Sequence, residues 1–185
     1  MTKQITEIAE IDWEQWQPEQ TATLLFVVQN NHILLIEKKR GLGAGNINGP
    51  GGKVDPGETP LECAIRETQE ELLITPGGVH FAAELLFHAY DFPRIHAFAY
   101  IADHFTGIPR ETEEAVPIWY PIDAIPFNKM WEDDQYWLPR VLKGETLRGK
   151  FTFQGESLVD YLIEPIKAWL PFDPLLAHHR VANQM

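Results

Sequence analysis

Residues 51–74 read GGKVDPGETPLECAIRETQEELLI, a glycine loop running into a capped helix that carries clustered carboxylates. Thr59 is a candidate N-cap, Pro60 suits the first helical position, and Glu62 sits three residues after the cap to complete a capping box. Leu61, Ala64, Ile65, Thr68 and Leu72 then recur at helical spacing and predict a buried stripe. Glu67, Glu70 and Glu71 fall on the other side, three and four residues apart, so they stand together within about one turn. Glu58 lies in the loop before the helix and can fold back toward them. Like charges this close repel. A hard divalent cation with oxygen ligands offsets the repulsion, and magnesium commonly takes one or two carboxylates beside waters and substrate phosphates. The bland alternative is a solvated acidic helix face.

The spacing resembles the Nudix box, G-x5-E-x7-R-E-aliphatic-x-E-E-x-G-aliphatic. Gly52, Glu58, Arg66, Glu67, Glu70, Glu71 and Ile74 match it. Two positions depart: Thr68 replaces an aliphatic residue and Leu73 replaces the glycine. The Thr68 hydroxyl can bond the carbonyl of Ala64 one turn back. The glycine lets the chain leave the helix with a positive φ. Without it, Pro76, Gly77 and Gly78 are expected to end the helix a few residues later.

A chain of 185 residues fits one domain with extensions, here read as an N-terminal extension (1–20), a central domain (21–160) and a C-terminal tail (161–185). No apolar run is long enough to span a membrane, and the first 20 residues are acidic and aromatic rather than basic and then apolar. The expected location is the cytoplasm, with no membrane partner and a monomeric state. The single cysteine, Cys63, excludes an internal disulfide and reads as a spectator. A net charge of −12 argues against a general nucleic-acid surface. It leaves a nucleotide substrate open, because a bound metal reverses the local field.

In order, Trp13 and Trp16 of the N-terminal extension are expected to pack on the domain. Residues 21–28 and the run beginning at 33–36 predict a hairpin, and a loop with six glycines follows at 41–52. Beyond the helix, strands are predicted at 81–90 and 95–102, joined by a turn around Asp91-Phe92-Pro93-Arg94, then at 118–122 and 147–153. Residues 135–143 predict a second helix. His178-His179 in the tail read as solvated rather than as metal ligands.

The similarity extends over roughly residues 21–155, in the order of the MutT-homologue branch of the Nudix family. Three stretches carry it: Lys38 to Gly45 with Asn48 to Val54; Ile125 to Trp137; and Gly149 to Gly155. The resemblance implies an α/β Nudix fold, a mixed sheet between helices in an α/β/α sandwich. It implies that Glu67, Glu70 and Glu71 hold Mg2+ (Mn2+ as substitute), with the Gly52 carbonyl and Glu114 nearby. Asn48, Asp133 and Asp134 match groups that read a purine edge, and Trp131 matches the aromatic that stacks on the base. Lys38, Thr23, Leu42 and Phe87 match other pocket positions. Ile47 and Ala89 stand where the family has larger aromatics, so a roomier, less aromatic pocket is expected.

Asp133 and Asp134 can also be read without the family. Two adjacent carboxyls in an enclosed site cannot both ionise cheaply, so one should keep its proton. A protonated carboxyl donates a hydrogen bond and an ionised one accepts. A helix N-terminus would favour the same residues. The resemblance implies hydrolysis of purine nucleoside triphosphates such as 8-oxo-dGTP to monophosphate and pyrophosphate. Glu70, Glu71 or Glu114 would act as base, and Arg66 would orient the glutamates. Two alternatives remain. One is hydrolysis of another diphosphate-linked substrate: a nucleotide sugar, a dinucleotide or an RNA 5′ end. The other is a non-catalytic nucleotide-binding module.

Overall fold

The computed structural model describes residues 7–167. His178, His179, Pro171 and Pro174 of the tail lie outside the described residues. Among the described residues, eight of ten strands form a mixed sheet with one α-helix on each face. The strands are β1 (Gln20–Gln29), β2 (His32–Lys38), β3 (Ile47–Asn48), β4 (Ile74–Gly77), β5 (His80–Ala89), β6 (Ile95–Ala102), β7 (His104–Gly107), β8 (Ala115–Pro121), β9 (Leu147–Gln154) and β10 (Ser157–Pro165). The helices are α1 (Pro60–Leu72) and α2 (Asp134–Leu142). The main sheet runs β10-β9-β5-β6-β1-β2-β3, with β8 on the outer side of β2; β4 and β7 form a separate pair. The β1–β6 and β5–β9 pairs are parallel and the others antiparallel.

Alternation along the central strands makes two cores, because successive side chains point to opposite faces. Phe26, Leu85, Ala97 and Ala99 join Trp137, Leu138 and Val141 of α2 on one face. Leu25, Val27, Phe98 and Tyr100 join Ala64 and Leu72 of α1 on the other.

Strand β1 pairs with β2 only from Val27 to Gln29. Before that the two strands diverge and the glycine loop fills the gap. Thr23 and Leu25 donate their N–H groups to the carbonyls of Gly52 (2.9 Å) and Pro50 (2.8 Å), and Val54 donates to Thr21 (2.9 Å). This splay opens the cleft described below.

Helix α1 begins as expected. The Thr59 hydroxyl accepts the Glu62 N–H (3.2 Å) and the Glu62 carboxylate accepts the Thr59 N–H (2.8 Å). Thr68 Oγ1 donates to the Ala64 carbonyl at 2.8 Å. Two expectations fail. The buried face is rotated: Cys63 and Glu71 are buried, while Leu61 is exposed. The helix also ends at once. Leu73 takes the left-handed conformation itself, at φ 60° and ψ 30°, rather than passing the break to Gly77 and Gly78. A residue with a Cβ sits there at a cost of about 1–2 kcal/mol. Leu73 is 54% exposed and forgoes little packing when truncated. Leu73→Gly is therefore expected to stabilise the chain by about 1 kcal/mol or slightly less, after glycine's extra chain entropy. A urea unfolding midpoint below wild type would refute this.

Four strands escaped the sequence reading: β3, β4, β7 and β10. Strand β10 pairs antiparallel with β9 and extends the sheet past the strand expected to be last. Cys63 is buried beneath the glycine loop. Its thiol lies 3.3 Å from Thr23 Oγ1 and faces the carbonyls of Gly52 and Lys53, and burial pushes its pKa up to about 11. It packs α1 onto the glycine loop.

Candidate active site

A cleft of about 840 Å³, counted with the solvent at its mouth, opens where β1 and β2 separate. Thr23, Lys38, Leu42, Asn48, Gly52, Glu71, Phe87, Trp131, Asp133 and Asp134 all line it. Glu67, Glu70, Arg66 and Glu114 are not part of its wall.

At one end, α1 meets the glycine loop. A Cβ on Gly51 would come within 1.9 Å of the Thr23 carbonyl, and one on Gly52 within 2.4 Å of the Glu67 carboxyl carbon. Only glycine lets the loop lie this close to both β1 and the helix. The Gly51 N–H donates to Glu71 Oε2 at 3.0 Å. Burial pushes the Glu71 carboxyl up to about 8 despite that bond, and burial also raises Glu67.

Arg66 gathers the other carboxylates. Its Nε and Nη2 donate to the two oxygens of Glu58 (2.7 and 2.9 Å), and its Nη1 donates to Glu67 (2.8 Å) and Glu70 (3.3 Å). The guanidinium holds the Glu58 carboxyl down at about 2. The bond to Glu70 is the longest of these four, and the bidentate partner is Glu58. Glu114 stands in the loop before β8, paired with Arg40. The Gly52 carbonyl accepts the Thr23 N–H and is approached by the Cys63 thiol at 3.7 Å.

Among the described residues, no three His, Cys, Asp or Glu side chains are gathered closely enough, as placed, to enclose an ion. The donor set still suits a hard divalent cation. It offers carboxylate oxygens and a backbone carbonyl, and burial and mutual repulsion push Glu67 and Glu71 upward, a pressure that a bound cation would relieve.

The other end is apolar with a polar floor. Asp133 and Asp134 are each 2% exposed. Asp133 Oδ2 accepts the Trp137 indole N–H at 2.9 Å. Asp134 Oδ2 has no hydrogen-bond partner. Burial raises both carboxyls, and the charge of Asp133 pushes Asp134 further. The Trp137 bond favours the ionised form of Asp133, so the proton stays on Asp134.

The two positions expected to thin the aromatic wall lie outside it. Ile47 and Ala89 are buried but do not line the cleft. Phe92 and Phe153 do, and with Phe87 and Trp131 they form a box. Ring centroids are 6.3 Å apart for Phe92–Trp131, 6.1 Å for Phe92–Phe153 and 5.9 Å for Trp131–Phe153. Sequence reasoning missed Phe92, Phe153 and Ile95. The available signal for Phe92 was a large apolar residue within an otherwise polar turn.

The chain matches the NUDIX domain family over residues 18–141. It is 41% identical over 140 residues to proteins named oxidized purine nucleoside triphosphate hydrolase from mouse and zebrafish, covering 74% of this chain and 88% of each relative. The fold is shared with a mutator MutT protein from Bacillus halodurans, at a TM-score of 0.70 and 24% identity, covering 78% of this chain and 97% of that one. A MutT NUDIX hydrolase from Burkholderia pseudomallei superposes at a TM-score of 0.55 with 30% identity, over 60% of this chain and 88% of the other. The chain belongs to the NUDIX family and is a hydrolase of that family. Among the described residues no helix is long and apolar enough to cross a membrane.

Proposed function

We propose that this hydrolase acts on oxidised purine nucleoside triphosphates such as 8-oxo-dGTP, releasing the monophosphate and pyrophosphate, and so cleans the nucleotide pool before a polymerase draws on it. The observation that carries the reading is the floor of the cleft: a buried Asp133–Asp134 pair in which one carboxyl is tied to Trp137 and the other keeps one oxygen, Oδ2, without a partner. Such a pair presents one acceptor and one donor to a purine edge. Trp131 supplies a face for the base, with Phe87, Phe92 and Phe153 around it. Asn48, Thr23, Leu42 and Lys38 line the same cleft.

Glu67, Glu70 and Glu71, with the Gly52 carbonyl and Glu114, are the residues that would hold Mg2+ or Mn2+. When bound, the metal neutralises phosphate charge and makes a water more acidic. Arg66 fixes the orientation of Glu67 and Glu70 and balances their charge. A carboxylate takes the proton of the attacking water; of Glu70, Glu71 and Glu114, only Glu71 lines the cleft.

The test is product release with Mg2+ across the ordinary dNTPs, 8-oxo-dGTP, 2-hydroxy-dATP, a dinucleoside polyphosphate and a nucleotide sugar. The expected result is a kcat/KM for an oxidised purine at least about tenfold above that for dGTP, about the net worth of one hydrogen bond. Strong activity only on the last two substrates would keep the family chemistry and discard this substrate.

A further inference from the structure

The segment before β1 is held across the face of the sheet that also carries α1. The Ile8 N–H donates to Asp160 Oδ2 on β10 at 2.7 Å. Lys150 of β9 lies over the Trp13 ring, 5.3 Å from its centroid. The indole N–H of Trp16, 5% exposed, donates to His88 Nδ1 of β5 at 3.1 Å. These anchors lead the chain to Glu19, which grips the β5–β6 turn. The Glu19 and Gln20 N–H groups both donate to the Arg94 carbonyl, at 2.8 and 3.1 Å. Glu19 Oε2 accepts the Arg94 N–H at 2.8 Å and lies 3.4 Å from its Nε. At the other side of the turn, Asp91 Oδ2 accepts the Gly155 N–H at 2.8 Å. Between these two ties stands Phe92, whose ring faces Trp131 and Phe153.

We propose that Glu19 is a positioning residue for the base: by holding Arg94 it sets Phe92 against Trp131 and so fixes the width of the aromatic box. This rests on the purine reading of that box. Phe92 belongs to a turn, not to a strand, and no ladder bond fixes its place. Its position therefore depends on the bonds at either end of the turn. Exposed ion pairs contribute little to global stability. A variant that loosens the turn should therefore melt like wild type and differ in substrate binding.

Two measurements on the full chain test this. The first needs no substrate: amide hydrogen exchange of residues 91–94 in Glu19→Ala. The expected result is exchange at Arg94 faster by about tenfold or more, with the melting temperature unchanged. Unchanged exchange at Arg94 overturns the proposal whatever the substrate is. The second is steady-state kinetics on the purine triphosphate that the wild type prefers. Glu19→Ala should raise KM about three- to tenfold and leave kcat alone, the signature of lost uniform binding. Glu19→Gln keeps an acceptor for the Arg94 N–H and should recover most of the loss. Phe92→Leu should raise KM likewise, and Glu19→Ala should add nothing further in that background. An additive double variant, or an unchanged KM in Glu19→Ala, overturns the proposal. A wild-type chain that turns over no purine triphosphate sinks the substrate reading instead, and the exchange result still judges the grip of Glu19 on the turn.

Discussion

Glu71→Gln is expected to lower kcat/KM on the nucleotide substrate by about a thousandfold without lowering the melting temperature. Glu71 is 3% exposed, lines the cleft, and accepts the Gly51 N–H through Oε2. Glutamine has the same shape and keeps a carbonyl oxygen for that N–H. The substitution removes the charge and turns the second oxygen into an NH2, in a place where burial already opposes charge. The fold therefore has no reason to suffer, and the catalytic loss isolates what the carboxylate does for metal and water. Glu70→Gln is the companion variant. Glu70 is half exposed and held at 3.3 Å from Arg66, so the fold tolerates that change as well. The check is turnover against Mg2+ concentration for both variants, beside their thermal melts. Normal activity in both would sink the assignment of this helix face to the metal. Activity lost in step with a fallen melting temperature would make Glu71 a structural residue.

How much of this could be read from the chain follows from where each signal comes from. Helix α1 announced its start because Thr59, Pro60 and Glu62 act locally, and the cap formed as expected. Its buried face was misjudged because hydrophobic periodicity assumes an apolar neighbour. Half of this helix packs instead on backbone, the loop at Gly51 and Gly52, and there a carboxylate and a thiol are the buried groups. Strand β10 was missed because it has one neighbour, β9, and Val159, Tyr161 and Leu162 stay exposed. Its pattern carries little burial signal. Strand β4 contains Pro76 and Gly77, residues that local propensity removes from strands, and its pairing with β7 is a tertiary fact. The cleft residues that matched a family pattern were found. Phe92 was not, because its place depends on ties to Glu19 and Gly155 that lie 73 and 63 positions away in the chain, beyond any local pattern.

Asp133→Asn is expected to reduce kcat/KM for an oxidised purine triphosphate by about 30- to 100-fold, the worth of a buried hydrogen bond to a charged group. On a triphosphate without a purine edge the change should stay within about twofold, because the phosphate end is untouched. The argument is directional. Trp137 Nε1 donates to Asp133 Oδ2, so an asparagine must keep its oxygen there to satisfy the indole. That turns its NH2 toward the position where a carboxylate oxygen had accepted, and an acceptor becomes a donor. Equal losses on both substrates would make Asp133 a support for Trp137 and nothing more. Asp134 supplies an independent check through stability. Burial and the charge of Asp133 raise its folded pKa well above the ordinary 3.8. The native state then holds a proton that the unfolded chain releases near pH 4. The stability this contributes is fully present below about pH 4 and is lost as pH rises through the raised folded value. Asp134→Asn has no proton to lose. It should melt with wild type at pH 4 and about 4 °C or more above it at pH 8, where each kcal/mol moves a chain of this size by about 2–4 °C. A gap that is the same at both pH values would mean that Asp134 ionises freely, and the donor half of the purine-reading pair would fall with it.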